Sequence, residues 1–237
     1  MNTVNESIKV EDVLLLMDIR IEAYDLLRKL FLAEPTKEMM EELATRKVFD
    51  AFPFKDVSST IHNGVNTISS FFQDHSPTDL NVFESLHWDY TRMFIGPFQL
   101  PAPPWGSVYL GEEKTLFQEE TLQVRRAYLK YGFQSKQHGI EADDHIGLEL
   151  DMMYQLVKLA KQDVLSDNPQ SFLEITRDQL LFLENHLLSW VPAFSRDMKK
   201  TANTDFYKGV AELLYGYLEL DRKMIDEITD YYALNRN

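Results

Sequence analysis

The chain has 237 residues, 44% apolar and 26% charged, which suits one large globular domain or two small ones with a sizeable core. Its 38 acidic residues against 24 basic ones give a net charge of −14, a balance that disfavours a general nucleic-acid binder, because such proteins need Lys and Arg to replace phosphate counterions. The absence of cysteine excludes disulfides, thiolate metal sites and a cysteine nucleophile.

In chain order, helical periodicity dominates. Val13, Leu16, Met17, Ile19, Tyr24, Leu27, Leu30 and Phe31 recur at threes and fours with charges between them, which predicts a first helix. Pro35 punctuates the chain, and Thr36 is placed to cap a second helix through Met39, Met40 and Leu43. A third helix is predicted over 56–72, and Ser76-Pro77-Thr78-Asp79 opens a fourth running to about Phe94. From Gly96 to Ser107 four prolines and two glycines interrupt the pattern, and proline's fixed φ predicts an extended, stiff loop. Periodicity resumes with Leu116, Phe117, Leu122, Val124, Tyr128 and Leu129. The polar stretch Gly132 to Ile140 is the hinge candidate, dividing subdomains of about 1–131 and 142–237. Further helices are predicted at about 142–162, 169–190, 192–202 and 204–233, the last with an apolar stripe of Phe206, Val210, Leu213, Leu214, Tyr217 and Leu218. No stretch shows strand alternation and no repeat of 20–50 residues is present. The expected fold is all-α: a single helical domain of about eight or nine helices. The N-terminal Met-Asn-Thr-Val-Asn-Glu-Ser lacks the basic and apolar regions of a signal peptide, and no apolar run approaches the roughly 20 residues that span a bilayer. A soluble, cytoplasmic protein without stable membrane insertion is expected.

The chemistry concentrates in Glu141-Ala-Asp-Asp-His-Ile-Gly-Leu-Glu149. Four carboxylates (Glu141, Asp143, Asp144, Glu149) and His145 crowd what reads as the first two turns of a helix, where the macrodipole favours negative charge. Three chemistries are open: a surface for a cationic ligand, a metal site, or an acid/base pair. For metal, Glu84-Ser-Leu-His87 has the spacing of one half of a di-iron bundle site, but no second such pair exists. Glu141, His145 and Glu149, at i, i+4 and i+8, would share a helix face, yet too few ligands stand there for a closed site. For catalysis, His145 beside Asp144 could be an oriented base, but the chain has no Gly-x-Ser-x-Gly elbow and no Gly-rich phosphate loop, so an enzyme is not expected. For binding, Pro103-Pro104-Trp105 through Tyr109 forms a preorganised aromatic loop. Alone, Trp105 reads as a core plug. Beside the acidic cluster it suggests a mixed apolar and anionic groove for a peptide that carries arginines next to an apolar stretch. If His145 titrates near its ordinary pKa of about 6.5, affinity in such a groove would vary mildly with pH.

Tyr90-Thr-Arg-Met-Phe-Ile-Gly-Pro97, Pro103-Pro104-Trp105-Gly-Ser-Val-Tyr109, Glu141-Ala-Asp-Asp-His-Ile-Gly-Leu-Glu-Leu150 and Phe182-Leu-Glu-Asn-His-Leu-Leu-Ser-Trp-Val-Pro192 resemble, in that order, the TorD/DmsD family of redox-enzyme maturation chaperones. Residues 1–75 match only as a helical pattern. The resemblance implies an all-α, non-enzymatic chaperone. It would bind the twin-arginine leader peptide and the apo catalytic subunit of a molybdoenzyme, assist cofactor insertion and delay export. It implicates Asp144, His145 and their neighbours in leader binding, with Pro103, Pro104 and Trp105 in the same region. Ala142 departs from the family, which usually has proline there, and loss of a proline at the first helical position would weaken the helix start. Some relatives bind GTP weakly, though nothing in this chain shows a site for it, and no other cofactor is implied. Either a monomer or a dimer swapped through the Gly132–Ile140 hinge is compatible with the family. Two alternatives stand beside this: a NarJ-type relative serving a non-exported molybdoenzyme, and a helical metalloenzyme.

Overall fold

Helix α1 (Val10–Leu32) buries Val13, Met17, Arg20, Ala23, Tyr24, Leu27, Leu30 and Phe31, the spacing of one helical face. The structure, a computed structural model, describes residues 9–111, 116, 119–134 and 141–235. Thr36 caps α2 (Lys37–Thr45), its hydroxyl oxygen accepting from Met39 N at 3.1 Å. Helices α3 (Ser59–Asp74) and α4 (Leu80–Phe94) begin three to four residues later than predicted, because Ser58 and Asp79 are the residues whose side chains accept from their first turns. The proline loop is followed at once by a short helix, α5 (Gly106–Leu110), where the sequence suggested extended chain to Ser107. Next come α6 (Glu119–Lys130) and α7 (Ile146–Leu165).

Helix α8 (Pro169–Phe182), a π-turn (Leu183–Leu187) and α9 (Leu188–Thr201) form one continuous rod, so the break expected at 190–192 does not occur. Pro192 stands inside α9, where it forgoes one backbone bond. The π-turn just upstream has already shifted the ladder, and the buried Trp190, Val191 and Phe194 hold the helix on both sides of the proline. The rod is followed by α10 (Asp205–Asn235). The described residues contain no β-strand; an isolated antiparallel bridge pairs Trp105 with His145.

The packing is led by α10 against α3 and by α1 against α7, with α10 also lying on α8 and α9. Helices from both sides of the expected hinge therefore share one core, which makes a single all-α domain. Residues 135–140 of that hinge lie outside the described residues. At the α3–α10 crossing, a Cβ on Gly64 would stand 2.7 Å from Leu213 N and 2.8 Å from Gly209 O, so the two backbones touch. Deeper in the core, the Arg20 guanidinium pairs with both oxygens of Asp221, at 2.6 and 2.9 Å, and donates to Gln179 Oε1 at 2.7 Å. This network ties α1 to α8 and α10. Among the described residues no helix is long and apolar enough to cross a membrane.

Candidate functional site

Two chain segments far apart in sequence are clamped together to build the site. Gly106 N donates to Asp144 O at 3.0 Å and Ile146 N donates to Pro104 O at 2.8 Å, joining the proline loop to the strap that precedes α7. The helix begins at Ile146 rather than near 142, with His145 as its N-cap. Glu141, Asp143 and Asp144 thus lie in the strap, not in the first helical turns. Ala142 is buried in the same strap, outside the helix, so the missing proline there does not touch the helix start.

Three of the four carboxylates are structural locks. Asp144 is 1% exposed; its Oδ2 accepts from Ser107 N at 2.7 Å and its Oδ1 from the Thr121 hydroxyl at 2.8 Å. It caps α5 from across the fold, where Trp105, the local N-cap, offers no side-chain bond. Asp143 is also buried; Arg125 Nε donates to it at 2.6 Å, and the Tyr128 hydroxyl donates to its carbonyl at 2.8 Å. Glu149 points inward from α7 and accepts from Trp190 Nε1 at 3.2 Å. Burial, then the nearby charge of Asp144, pushes the Glu149 carboxyl well above the usual range, against the pull of the Trp190 hydrogen bond. Tyr109 stacks on Trp190 with ring centroids 5.6 Å apart, and a Cβ on Gly106 would stand 3.0 Å from Trp190 Nε1. Pro104 is buried and Pro103 partly so, which makes the Pro-Pro pair mainly a brace for Trp105.

The raised Glu149 gives a signed prediction. Between the ordinary glutamate pKa and its elevated folded value, the folded state holds a proton that the unfolded state releases. Its contribution is fully present below the unfolded pKa and is lost as pH rises through the folded one. Glu149→Gln keeps an acceptor for Trp190 without that penalty. Urea unfolding should therefore show the variant gaining on the wild type between pH 5 and pH 8; a constant difference would mean that Glu149 is ionised throughout.

Glu141, Trp105 and His145 remain partly exposed and meet at a cavity of about 200 Å³. Trp105 Nε1 donates to Glu141 Oε1 at 2.6 Å, among the described residues no donor reaches Glu141 Oε2, and the Trp105 and His145 rings meet edge to face at 5.9 Å. Tyr90, Phe94, Ile95, Leu148 and Glu34 are among the other residues of its wall. Glu34 was not singled out from sequence. It follows α1, directly before Pro35, and only tertiary packing brings it to the same cavity as Glu141, with His87 Nδ1 at 3.4 Å from its carboxylate. The Tyr90 hydroxyl, which donates to Phe31 O at 3.0 Å, is held above its ordinary range by burial and then by the charges of Glu34 and Glu141. Both carboxylates thus act on one small volume.

The surroundings of His145 work against a titration near pH 6.5. Its Nδ1 accepts from Gly147 N at 3.1 Å, and burial lowers its pKa against the opposing charges of Glu141 and Asp144. The accepted hydrogen bond and the burial both favour the neutral ring, which orients the strap. Glu141, His145 and Glu149 do not share a helix face, since Glu141 precedes the helix and Glu149 faces Trp190. Among the described residues no group of three or more His, Asp or Glu side chains is placed to hold a metal ion.

Comparison with known proteins bears on this arrangement. Residues 55–196, from before α3 into α9, match the family described as the nitrate reductase delta subunit. The chaperone protein TorD of Aliivibrio salmonicida is 29% identical over 213 residues, covering 87% of this chain and 94% of that protein. The Tat proofreading chaperone DmsD of Salmonella typhi is 32% identical over 146 residues, 62% of each chain. A probable Tat proofreading chaperone DmsD of Haemophilus influenzae is 37% identical over 128 residues, 52% of this chain and 54% of that one. With its all-helical fold and its strap locked onto the proline loop, the chain belongs to the nitrate reductase delta subunit family and, within it, to the TorD/DmsD chaperones, which are not catalysts.

Proposed function

We propose that the protein is a cytoplasmic maturation chaperone that binds the twin-arginine leader of a molybdoenzyme precursor and holds the apo catalytic subunit for cofactor insertion before export. The observation that carries this is the pair of carboxylates, Glu34 and Glu141, facing one aromatic-walled cavity. A guanidinium bonds carboxylates in a planar, bidentate way that an ammonium does not reproduce. Exposed ion pairs contribute only about 0.2–1 kcal/mol each, so most affinity must come from apolar burial, with charge supplying orientation and speed. Asp144 and His145 serve as positioning residues, keeping Trp105 and Glu141 at the cavity mouth.

The test is calorimetric titration of a synthetic leader peptide. The double variant Glu34→Gln/Glu141→Gln should bind about 5- to 30-fold more weakly at unchanged Tm, the loss of one or two charge-assisted bonds of about 1–2 kcal/mol in all. A leader with Lys-Lys in place of Arg-Arg should lose a similar amount on the wild type and little more on the variant. Asp144→Ala should lose affinity and Tm together, because it releases the α5 cap. Unchanged affinity in the double variant would remove the acidic cavity from the leader site.

A second reading is favoured by the family description itself: assembly of a non-exported, nitrate-reductase-like client. Such a client's N-terminal segment would lack the arginine pair, and its binding would be indifferent to Glu34 and Glu141.

A further inference from the structure

We propose that His87 is a positioning residue for the leader site: its ring steadies the Glu34 carboxylate and, once it carries a proton, competes with the leader's guanidinium for it. This rests on the leader-binding proposal and adds to it a residue that sets how affinity depends on pH. His87 Nδ1 stands 3.4 Å from Glu34 Oε2, and the two side chains are 34% and 43% exposed, so either can be replaced without opening the core. The ring is held by its own helix. It stacks on Phe83 with centroids 6.1 Å apart and meets Trp88 edge to face at 5.8 Å. The Glu84–His87 spacing that suggested half of a metal site is split by the fold: Glu84 lines a separate cavity with Trp88 and Arg92, while His87 turns to Glu34.

The surroundings leave this imidazole as the group that can place a positive charge on Glu34 from within the protein. Among the described residues no lysine or arginine pairs with Glu34; Lys37, the next cation along the chain, pairs with Glu41 at 3.9 Å. On the helix of His87, Arg92 is taken by Asp89 at 2.8 Å and by Thr201 O, and Glu84 stands three residues before the ring. Across the cavity, Glu141 accepts from the neutral indole of Trp105. Imidazole is the side chain whose charge ordinarily changes between about pH 5 and pH 8, and burial works against that change at His145, the other histidine of this region. A carboxylate that faces an imidazolium is already partly neutralised, and the added charge repels an incoming guanidinium. Facing a neutral ring, the same carboxylate can take the guanidinium in bidentate fashion. The sign follows. Leader affinity is greatest where His87 is neutral and falls as pH drops, and binding at the lower pH expels a proton from the ring.

The test is calorimetric titration of the full-length chain with a synthetic arginine-pair leader peptide at pH 5.5 and pH 8, comparing the wild type with His87→Gln. The ratio of the affinities at the two pH values should be about two- to fivefold larger in the wild type than in the variant, the size of a partly exposed ion pair. Titrations near pH 6.5 in buffers of different ionisation heat should show the wild type releasing protons on binding and the variant releasing fewer. Adding His87→Gln to Glu34→Gln should leave both readouts where Glu34→Gln alone puts them, because His87 acts through that carboxylate. A purely structural role would instead shift affinity equally at both pH values. Equal pH profiles in the wild type and His87→Gln, with binding still weakened by Glu34→Gln/Glu141→Gln, would overturn the role of His87 while leaving the leader site standing. If the peptide does not bind, or binds regardless of those two carboxylates, the leader-binding proposal fails and takes this inference with it.

Discussion

Asp221→Ala is expected to lower the unfolding free energy by about 3–5 kcal/mol, because it strands a buried guanidinium. Arg20 and Asp221 are both fully buried, and the pair is bidentate. The Tyr24 hydroxyl donates to Asp221 at 2.7 Å, and Gln179, which takes one Arg20 proton, anchors itself by donating to Leu156 O at 3.2 Å. Burial alone would push Arg20 down, but the adjacent carboxylate lifts it above its ordinary value, so it stays charged. Without Asp221 its remaining neighbours are neutral: the Gln179 amide, the Tyr24 and Tyr217 hydroxyls and, at 3.8 Å, the Met17 sulfur, none of which compensates a charge. Urea unfolding measures the loss. The double variant Arg20→Met/Asp221→Leu should recover most of it, since apolar replacement of a buried pair is often neutral or stabilising. A loss below about 1 kcal/mol for Asp221→Ala would mean that water reaches the guanidinium. Nothing in the sequence marked Arg20 as special: it reads as one more charge between apolar positions of α1.

Gly64→Val is expected to cost about 1–3 kcal/mol, the range of overpacking in a close-packed core. The obstruction is main chain: Leu213 N at 2.7 Å and Gly209 O at 2.8 Å from the new Cβ. A side chain could turn aside; a helix backbone cannot, so α3 must lift away from α10. Gly209 makes the reciprocal contact, 2.7 Å from Gly64 O, and Gly216 would meet Ile61 N at 3.0 Å. Lifting α3 exposes part of Ile61, Val65 and Ile68, all buried at this interface. Thermal unfolding of Gly64→Ala, Gly64→Val and Gly209→Ala should show each variant less stable than the wild type, with Gly64→Val below Gly64→Ala. A Gly64→Val protein as stable as wild type would show that the helices do not meet backbone to backbone.

Much of the fold was legible because helix formation is a local affair. The spacing of Val13 to Phe31 and of Phe206 to Leu218, the Thr36 cap and the absence of strand alternation are written in residues three and four apart. The errors fall where distant chain intervenes. Pro192 reads as a helix breaker, and only the packing of Trp190, Val191 and Phe194 carries the helix through it.

The candidate site divides in the same way. The sequence by itself determined that the protein is helical, acidic and free of cysteine, that prolines crowd the loop before Trp105, and that four carboxylates and a histidine gather between Glu141 and Glu149. Only the tertiary structure decided which of those carboxylates face solvent. A carboxylate's environment depends on donors brought from elsewhere in the chain: Ser107 and Thr121 claim Asp144, Arg125 claims Asp143 and Trp190 claims Glu149. Among the described residues no donor reaches the second oxygen of Glu141, and Glu34, from just beyond a helix end more than a hundred residues earlier, lines the same cavity. Periodicity and capping act over a few residues, whereas the pairing of buried charges is settled by which helices the core brings side by side.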